Sequence, residues 1–229
     1  MMKILAMDTS NKALSLAILE NKETLGQVTL NIKKNHSITL MPAIDFLMNS
    51  LDLKPADLDR IAVAQGPGSY TGLRIAVATA KTLAHTLKIE LVGVSSLLAL
   101  VPEQVEGLVI PIMDARRNNV YAGFYQSGQS VRPEAHLPLA EVLEIAGAAD
   151  QSVTFVGETA AFSEQIEAAL PQTAIQPTLP DAAVVGHLGL DLPAQSIHDF
   201  VPNYLKRVEA EENWLKTHQA SSDSYIQRL

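Results

Sequence analysis

Residues 65–74 read Gln65-Gly66-Pro67-Gly68-Ser69-Tyr70-Thr71-Gly72-Leu73-Arg74. An apolar run at 61–64 precedes this stretch, and the segment 72–88 after it has helical periodicity. The order is therefore strand, glycine turn, helix. Glycines allow a close approach of the backbone to a ligand or a positive φ, and the first turn of a helix presents unpaired N–H groups with a positive partial charge. The stretch is a candidate anion site.

The glycine turn also has a purely structural interpretation. Pro67-Gly68 can be a simple turn, with Ser69 or Thr71 as the N-cap of the helix. The stretch is not a Walker loop, because no Gly-Lys-Ser/Thr comes after it, and it is not a G-x-G-x-x-G fingerprint. Both interpretations stay open on the local pattern.

One pattern occurs in both halves of the chain. In residues 4–19 an apolar strand ends at Met7-Asp8, and a short polar loop and a second apolar strand come next. Residues 110–125 repeat this order around Met113-Asp114. The matched flanks favour an internal duplication over coincidence. Two Asp-tipped hairpins in facing halves resemble the plan of the actin-like, sugar-kinase and Hsp70-ATPase (ASKHA) superfamily, in which the hairpins flank the phosphates of a nucleotide.

We therefore predict an α/β protein with a duplicated ASKHA fold and two subdomains. The N-terminal subdomain, 1–101, contains the glycine turn and two long helices. The C-terminal subdomain, 102–229, is expected to be smaller and more divergent, and to end in a helix. The boundary is placed at Pro102, which ends the segment that leaves the first half.

Hydrophobic periodicity predicts the regular elements. The predicted strands of the first half are 3–9, 13–20, 25–32, 60–65 and 90–94, and its helices are 36–51 and 72–88. After the second hairpin we predict helices at 139–149 and 162–170, a short strand at 153–157 and an amphipathic helix from Pro202 to about His218. The prolines between 171 and 180 predict loops.

Composition excludes several classes of protein. The 229 residues include 25 acidic and 17 basic side chains, for a formal charge of −8, which opposes non-specific contact with nucleic acid by the chain alone. There is no cysteine, which removes disulfides, thiol catalysis and cysteine-zinc sites. No apolar run approaches the roughly 18 to 20 residues that a membrane helix needs. We expect a cytoplasmic protein with no membrane contact.

Two helices carry a second face that is almost uncharged. A solvated helix face usually carries Lys and Glu. A protein partner that covers this face therefore explains the lack of charge better than a solvent-exposed surface that lacks charge by chance. The residues assigned to this partner interface are Thr39, Ala43, Phe46, Ser50, Ile75, Thr79, Thr82 and Thr86.

The sequence offers little for catalysis. The six histidines show no H-x-x-x-H or H-E-x-x-H spacing, and no serine lies in G-x-S-x-G, so we predict neither a metal site nor a catalytic residue. Asp8 and Asp114 end strands, where a carboxylate can serve magnesium or phosphate, or can cap its own loop. Arg116 and Arg117 can bind phosphate or pair with acids. The candidate nucleotide-binding residues are Asp8, Thr9, Ser10, Gly66, Gly68, Ser69, Thr71, Gly72 and Asp114.

The chain resembles the TsaB (YeaZ-type) family over essentially its whole length. The Gly-Pro-Gly-Ser-Tyr-Thr-Gly-Leu-Arg stretch is the most specific of the matching motifs. The motifs, in chain order, are 8–10, 66–74, 78–84, 93–97, 114–116 with 120–121, and 202–206. Tyr70 stands where phenylalanine is frequent, Ala76 where glycine is frequent, and Asn118-Asn119 where the loop is often acidic.

The resemblance implies a bacterial protein that helps to make N6-threonylcarbamoyladenosine at position 37 of tRNAs reading codons that begin with A. It implies a non-catalytic paralogue that scaffolds the TsaD enzyme, joins the TsaE ATPase, and pairs through its two N-terminal helices with TsaD or with itself. We expect contact with tRNA only through the complex, a homodimer when isolated, and no required cofactor beyond weak ATP or ADP binding.

One local feature agrees with a non-catalytic role. The resemblance places the metal-binding H-x-x-x-H of TsaD enzymes at 96–100, where this chain has Ser96-Leu97-Leu98-Ala99-Leu100. Without the imidazoles that site cannot hold a metal in the same way. Two enzyme alternatives stay open: an ASKHA-type small-molecule kinase with Mg-ATP between Asp8 and Asp114, and a glycoprotease-like peptidase.

Overall fold

A computed structural model describes residues 1–32, 35–102 and 104–206. The first half forms a five-stranded sheet in the order β3-β2-β1-β4-β5. Its strands are β1 (Lys3–Asp8), β2 (Leu14–Glu20), β3 (Glu23–Leu30), β4 (Arg60–Gly66) and β5 (Glu90–Ser95). β1, β2 and β3 are antiparallel neighbours, whereas β4 and β5 continue the sheet in parallel. Two helices, α1 (His36–Ser50) and α2 (Tyr70–Leu87), pack on one face.

The second half repeats this topology. Its strands, β6 (Leu108–Asp114), β7 (Asn119–Gln126), β8 (Gln129–Pro138), β9 (Val153–Gly157) and β10 (Ala174–Pro177), form a sheet in the order β8-β7-β6-β9-β10. The helices α3 (Leu139–Gly147) and α4 (Ser163–Ala169) occupy the positions of α1 and α2. The antiparallel and parallel pairings also match those of the first sheet. The predicted duplicated α/β fold is confirmed.

The helix α2 shows how sequence period produces the core. Leu73, Ala76, Val77, Ala80 and Ala84 are buried, and the last four pack with apolar residues of α1 and of the sheet. Leu83 and Leu87 are half-buried against the same core. Such residues recur at the helical spacing, so one face of the helix is apolar and the burial of that face holds it on the sheet.

A fifth helix, α5 (Ala182–Leu190), closes the other face of the first sheet. This helix was not predicted from the sequence, and neither were the strands β8 and β10. It is short and apolar except for His187, so it shows little amphipathic contrast. The predicted helix from Pro202 is wrong at 202–206, which are not helical, and the rest of that prediction lies outside the described residues.

The segment 182–206 packs on the first half although it comes after the second half in sequence. Ala182 and Val185 join the core on the back of the first sheet, and Phe200 joins the core under α1 and α2. The backbone N–H of Gln195 donates to Leu91 O, and that of Asn203 donates to Gln65 O. The assignment of everything after Pro102 to a separate C-terminal subdomain is therefore wrong for this segment.

Arg60 fixes the end of α5 to the sheet. Its side chain is 8% exposed, and Nη1 donates to the carbonyl oxygens of Gly189, Leu190 and Leu192 at 2.7, 2.8 and 3.0 Å. Nε donates to Glu90 Oε2 at 2.8 Å. Because carbonyl groups at a helix C-terminus have no partner within the helix, one guanidinium satisfies several of them together.

The two halves meet through an apolar contact and a polar one. Leu97 and Leu100, which come after β5, pack against Val109, Met113 and Val156 of the second sheet. Beside this contact, Glu134 Oε1 accepts hydrogen bonds from Ser95 Oγ and Tyr125 OH. Burial and the neighbouring Glu134 carboxylate raise the pKa of Tyr125 far above its ordinary value, so the phenol stays a donor.

The glycine turn brings the start of α2 against the first hairpin. Thr9 Oγ1 donates to Gly72 O at 2.7 Å, and the Ser69 N–H donates to Ser10 O at 2.6 Å. A Cβ atom at Gly72 would overlap the Thr9 carbonyl oxygen, and one at Gly68 would overlap that of Ser10. These glycines permit backbone to pack on backbone.

We predict that Arg60→Met lowers the free energy of unfolding by about 2 to 4 kcal/mol, because the α5 carbonyl groups and Glu90 lose their charged donor. Urea denaturation followed by circular dichroism measures the change. Arg132→Met, at an exposed position on β8 where the guanidinium lies 5.7 Å from the Phe124 ring centroid, is the matched control and should change stability by about 1 kcal/mol or less. Equal stability of the two variants would contradict the role of Arg60.

We predict that Gly72→Ala destabilises the protein by at least about 1 to 3 kcal/mol, since the added methyl group overlaps the first hairpin. Gly147→Ala near the end of α3 is the control: its Cβ would meet only Leu170 Cδ2, at 3.4 Å, and alanine favours the helix by about 0.5 to 1 kcal/mol. Thermal melts of both variants check the prediction. A Gly72→Ala variant as stable as the wild type would show that the first hairpin can move to make room for the methyl group without a loss of stability.

Candidate functional site: the cleft between the two hairpins

A cleft of about 1050 Å³ lies between the two Asp-tipped hairpins. Residues of both halves of the duplication line it. Its lining residues are Ser10, Asn11, Lys12, Asn31, Ile32, His36, Gly68, Ser69, Tyr70, Thr71, Met113, Asp114, Ala115, Arg116, Tyr121, Glu158 and Lys206.

The predicted nucleotide residues divide into two groups. Five of them line the cleft: Ser10, Gly68, Ser69, Thr71 and Asp114. The other four are not in the lining and hold the wall together: Asp8, Thr9, Gly66 and Gly72. The predicted set therefore combines residues that line the cleft with residues that lie behind its wall.

Asp8 is fully buried behind Ser10. Its Oδ1 accepts the Ser10 N–H at 2.7 Å, and its Oδ2 is buried without a hydrogen-bond partner among the described residues. Burial raises the pKa of Asp8, and the bonds from Ser10 and the nearby His36 oppose that rise. This carboxyl group caps its own loop, which is the structural alternative raised for it from the sequence.

Two N–H groups of the glycine turn are already used. Ser69 is the N-cap of α2, and its Oγ accepts the Gly72 N–H at 3.3 Å. The Ser69 N–H binds the Ser10 carbonyl group. The N-cap interpretation of Ser69 is therefore confirmed, and fewer donors of this turn can serve an anion.

The second wall is built around Asp114. Its Oδ1 accepts the Arg116 N–H at 2.8 Å, and Oδ2 lies 3.5 Å from Arg116 Nη1. Glu158 Oε2 accepts the Asp114 N–H at 3.0 Å. Arg116, Arg117 and Asn118 at the hairpin tip all have positive φ, a conformation that costs non-glycine residues about 1 to 2 kcal/mol each.

Several residues of the cleft were not assigned from the sequence. Glu158 lines the cleft directly after β9, and its place after a predicted strand is the signal that could have indicated this position. Lys206 lines the cleft because the segment 195–206 returns along the first half, and no local pattern reports that path. Ser10 Oγ, in the lining, is buried and has no hydrogen-bond partner among the described residues.

Ser96 and Leu100 have structural contacts of their own. Ser96 Oγ accepts the Gly66 N–H at 3.1 Å, and the Ser96 N–H donates to Gly66 O at 2.9 Å. Leu100 is buried in the apolar contact between the halves. Within 1–32, 35–102 and 104–206, no group of three or more His, Cys, Asp or Glu is placed to hold a metal ion.

The predicted partner face is mostly accessible, with one error. Phe46 is 62% exposed, Ser50, Thr82 and Thr86 are exposed, and Thr39, Ile75 and Thr79 are half-buried. Ala43 is only 8% exposed and packs in the core under α1, so its assignment to a face turned away from the core is wrong. At position 43 the helix has already turned towards the sheet, beside Leu40 and Ile44.

The polar side chains on this face use their hydroxyl groups locally. Thr82 Oγ1 donates to Ala78 O at 2.8 Å, Ser50 Oγ to Phe46 O at 2.7 Å, and Thr39 Oγ1 to Asn35 O at 3.2 Å. The hydroxyl groups of Thr39, Ser50 and Thr82 are therefore already bonded to backbone carbonyl groups. Ile38 and Met41 add exposed apolar surface on α1 that was not assigned from the sequence, at 67% and 48% exposure.

No helix in the described part of the chain has the length and apolar character needed to cross a membrane.

Comparison with known proteins agrees with this architecture. Residues 21–214 match the family model described as TsaD: tRNA N6-adenosine threonylcarbamoyltransferase. The chain is 42% identical to the tRNA threonylcarbamoyladenosine biosynthesis protein TsaB of Bacillus subtilis, over 94% of this chain and 99% of that protein. It is 29% identical to TsaB of Escherichia coli, over 56% of this chain and 57% of that protein.

A solved structure of a similar protein has the same fold. YeaZ from Pseudomonas aeruginosa superposes with a TM-score of 0.76 at 28% identity, over 90% of this chain and all of that chain. The chain therefore belongs to the family described by the TsaD model and, within it, to the TsaB (YeaZ-type) proteins.

Proposed function

We propose that this chain is a non-catalytic scaffold and activator subunit in the bacterial formation of N6-threonylcarbamoyladenosine at position 37 of tRNAs that read codons beginning with A. A TsaD-type subunit transfers the threonylcarbamoyl group, and a TsaE-type ATPase joins the assembly. The B. subtilis relative, which is named for this biosynthesis, matches the chain over nearly its whole length and so supports the pathway.

The single observation that carries the non-catalytic role is the use of Ser96 and Leu100 as structural residues. They occupy the positions at which the resemblance places two metal-binding imidazoles in the enzyme. Ser96 instead binds the backbone of Gly66, and Leu100 fills the contact between the halves. Imidazoles at both positions would displace these contacts, so the residues support a folding role here in place of metal chemistry.

The cleft is proposed as a weak nucleotide site at most, with no required cofactor. Ser69 and Gly72 already use their N–H groups within the protein, and no Walker lysine supports a phosphate. Asp8 is fully buried and does not line the cleft, so the kinase alternative lacks one of its two carboxylates at the reacting position. No observation favours the peptidase alternative.

The partner surface is proposed to be the exposed side of α1 and α2. Phe46 supplies a large exposed apolar side chain, and the hydroxyl groups of Thr39 and Thr82 are already bonded to backbone carbonyl groups. A standard interface buries roughly 800 Å² on each partner, which two helices of this length can supply. The surface would bind the TsaD-type subunit, or a second copy of this chain when it is isolated. Such a complex would work in the cytoplasm, and tRNA would be brought to the chain by the complex.

We predict that the purified chain, given threonylcarbamoyl-adenylate and unmodified tRNA, forms no modified adenosine. Modification should begin when the TsaD-type subunit of the same genome is added, because that subunit supplies the catalytic site. Mass spectrometry of tRNA digests measures the product. Modified adenosine formed by this chain alone would contradict the proposed role.

We predict that Phe46→Glu weakens binding to the TsaD-type subunit by about 100-fold or more, because the carboxylate would be desolvated without a partner. Thr79→Arg should act in the same direction and should also reduce self-association. The matched control is Val131→Glu, at an exposed apolar position on β8. Analytical ultracentrifugation measures both associations, and circular dichroism verifies folding. If both interface variants assembled like the control, the partner would dock elsewhere.

A further inference from the structure

A cationic and aromatic rim surrounds the mouth of the cleft and has no role in the proposed scaffold function. The rim consists of Lys12, Tyr70, Arg74, Arg116, Tyr204 and Lys206. These residues come from four segments: the first hairpin, the start of α2, the second hairpin, and the returning segment that ends at Lys206. Whereas acids outnumber bases in the whole chain, three cations against two carboxylates line this cleft within the described residues.

The tyrosines form a fixed stack at the surface. The rings of Tyr70 and Tyr204 lie 5.1 Å apart between centroids, at an interplanar angle of 28°. Their residues are 47% and 41% exposed. The segment that carries Tyr204 is held because the Asn203 N–H donates to Gln65 O at 2.7 Å and Lys81 Nζ binds the carbonyl groups of His198 and Phe200. An exposed, immobilised aromatic surface can accept a base at little entropic cost.

The hydroxyl group of Tyr70 positions a cation beside the stack. Arg74 Nη1 donates to Tyr70 OH at 2.6 Å, and the guanidinium lies 5.3 Å from the Tyr70 ring centroid. Phenylalanine, which the family resemblance makes frequent at this position, could not accept that bond. The tyrosine here therefore keeps a guanidinium at the edge of the aromatic surface.

The second hairpin adds a cation that can exchange its partner. The Arg116 side chain is 80% exposed, and its ion pair with Asp114 is 3.5 Å long, the kind of exposed pair that contributes little to stability. The tip holds Arg116 in a left-handed conformation, with the Asn119 N–H donating to Arg116 O at 3.1 Å. A phosphate could replace Asp114 as the partner of this guanidinium at small cost.

We propose that the rim is an RNA-binding site, which takes an unpaired segment with a base on the tyrosine stack and phosphates on Arg74, Arg116, Lys12 and Lys206. Cations that track a backbone beside aromatic rings that stack bases are the general means of binding single strands. The proposal rests on the proposed function only in taking RNA as the polyanion that the protein meets. It gives the chain an RNA contact of its own, in addition to delivery of tRNA by the complex.

The experiment uses the full chain and a short fluorescein-labelled oligouridylate, with fluorescence anisotropy recorded at several salt concentrations. Binding should saturate with a dissociation constant of about 10⁻⁴ to 10⁻⁶ M. Arg116→Gln and Lys206→Gln should each lower the slope of log K against log salt by about 0.7, the value for one lost phosphate contact on a single strand. Arg132→Gln, which removes a charge on the exposed part of β8, should leave the slope unchanged.

The aromatic contact is tested separately. Tyr204→Leu should weaken binding by about 5-fold or more at every salt concentration, whereas Tyr204→Phe should bind like the wild type because the stack survives. Duplex RNA of the same length should bind more weakly than the single strand, since its bases are not free to stack. If binding were lost equally in Tyr204→Leu and Tyr204→Phe, or if a duplex bound as well, stacking would be excluded.

Two outcomes keep the rim proposal distinct from the scaffold role. If the chain assembles with the TsaD-type subunit but shows no saturable binding of the oligouridylate, or if the rim variants bind like the Arg132→Gln control, the rim proposal is wrong and the scaffold role stands. If the rim binds RNA as described but no complex forms with the TsaD-type subunit, the scaffold role is wrong and the rim proposal stands.

Discussion

The contact between the first hairpin and the start of α2 holds strand, turn and helix together in the first half of this protein. Thr9 and Ser10 bind the backbone of Gly72 and Ser69. Strand, turn and helix are thereby joined by bonds between main-chain groups or short side chains, and only glycine leaves room for so close an approach. The turn with the strongest resemblance to an anion loop is thus largely occupied by its own protein. Its remaining surface forms part of one wall of the cleft.

The duplication produces two hairpins with the same topology and different chemistry. Asp8 and Asp114 end equivalent strands, but the first is buried with a raised pKa and the second is half-buried beside Arg116. The difference arises from the element that covers each strand end. The strand end at Asp8 is covered by the start of α2, whereas Asp114 lines the cleft, where Glu158 accepts a hydrogen bond from its backbone N–H. Equivalent positions in a repeat therefore give a structural residue in one half and a cleft residue in the other.

The segment 182–206 links the two halves of the chain. It leaves the second half, covers the back of the first sheet as α5, and is fixed by Arg60 and Lys81 through main-chain carbonyl groups. Its last described residues bring Tyr204 and Lys206 to the rim of the cleft. The cleft is therefore lined by parts of the chain that are far apart in sequence. The exposed side of α1 and α2 that is proposed for a protein partner does not line this cleft.

Sequence by itself determined the duplicated fold, the order of the main strands and the core stripe of α2, because these depend on hydrophobic periods and on a repeated pattern within each half. It also supplied the family. Tertiary structure decided the rest. The burial of Asp8 and Ala43 depends on which neighbour covers a strand end or helix side, and α5 has no amphipathic period to reveal it. The rim depends on a chain path between distant segments, so no local spacing contains it.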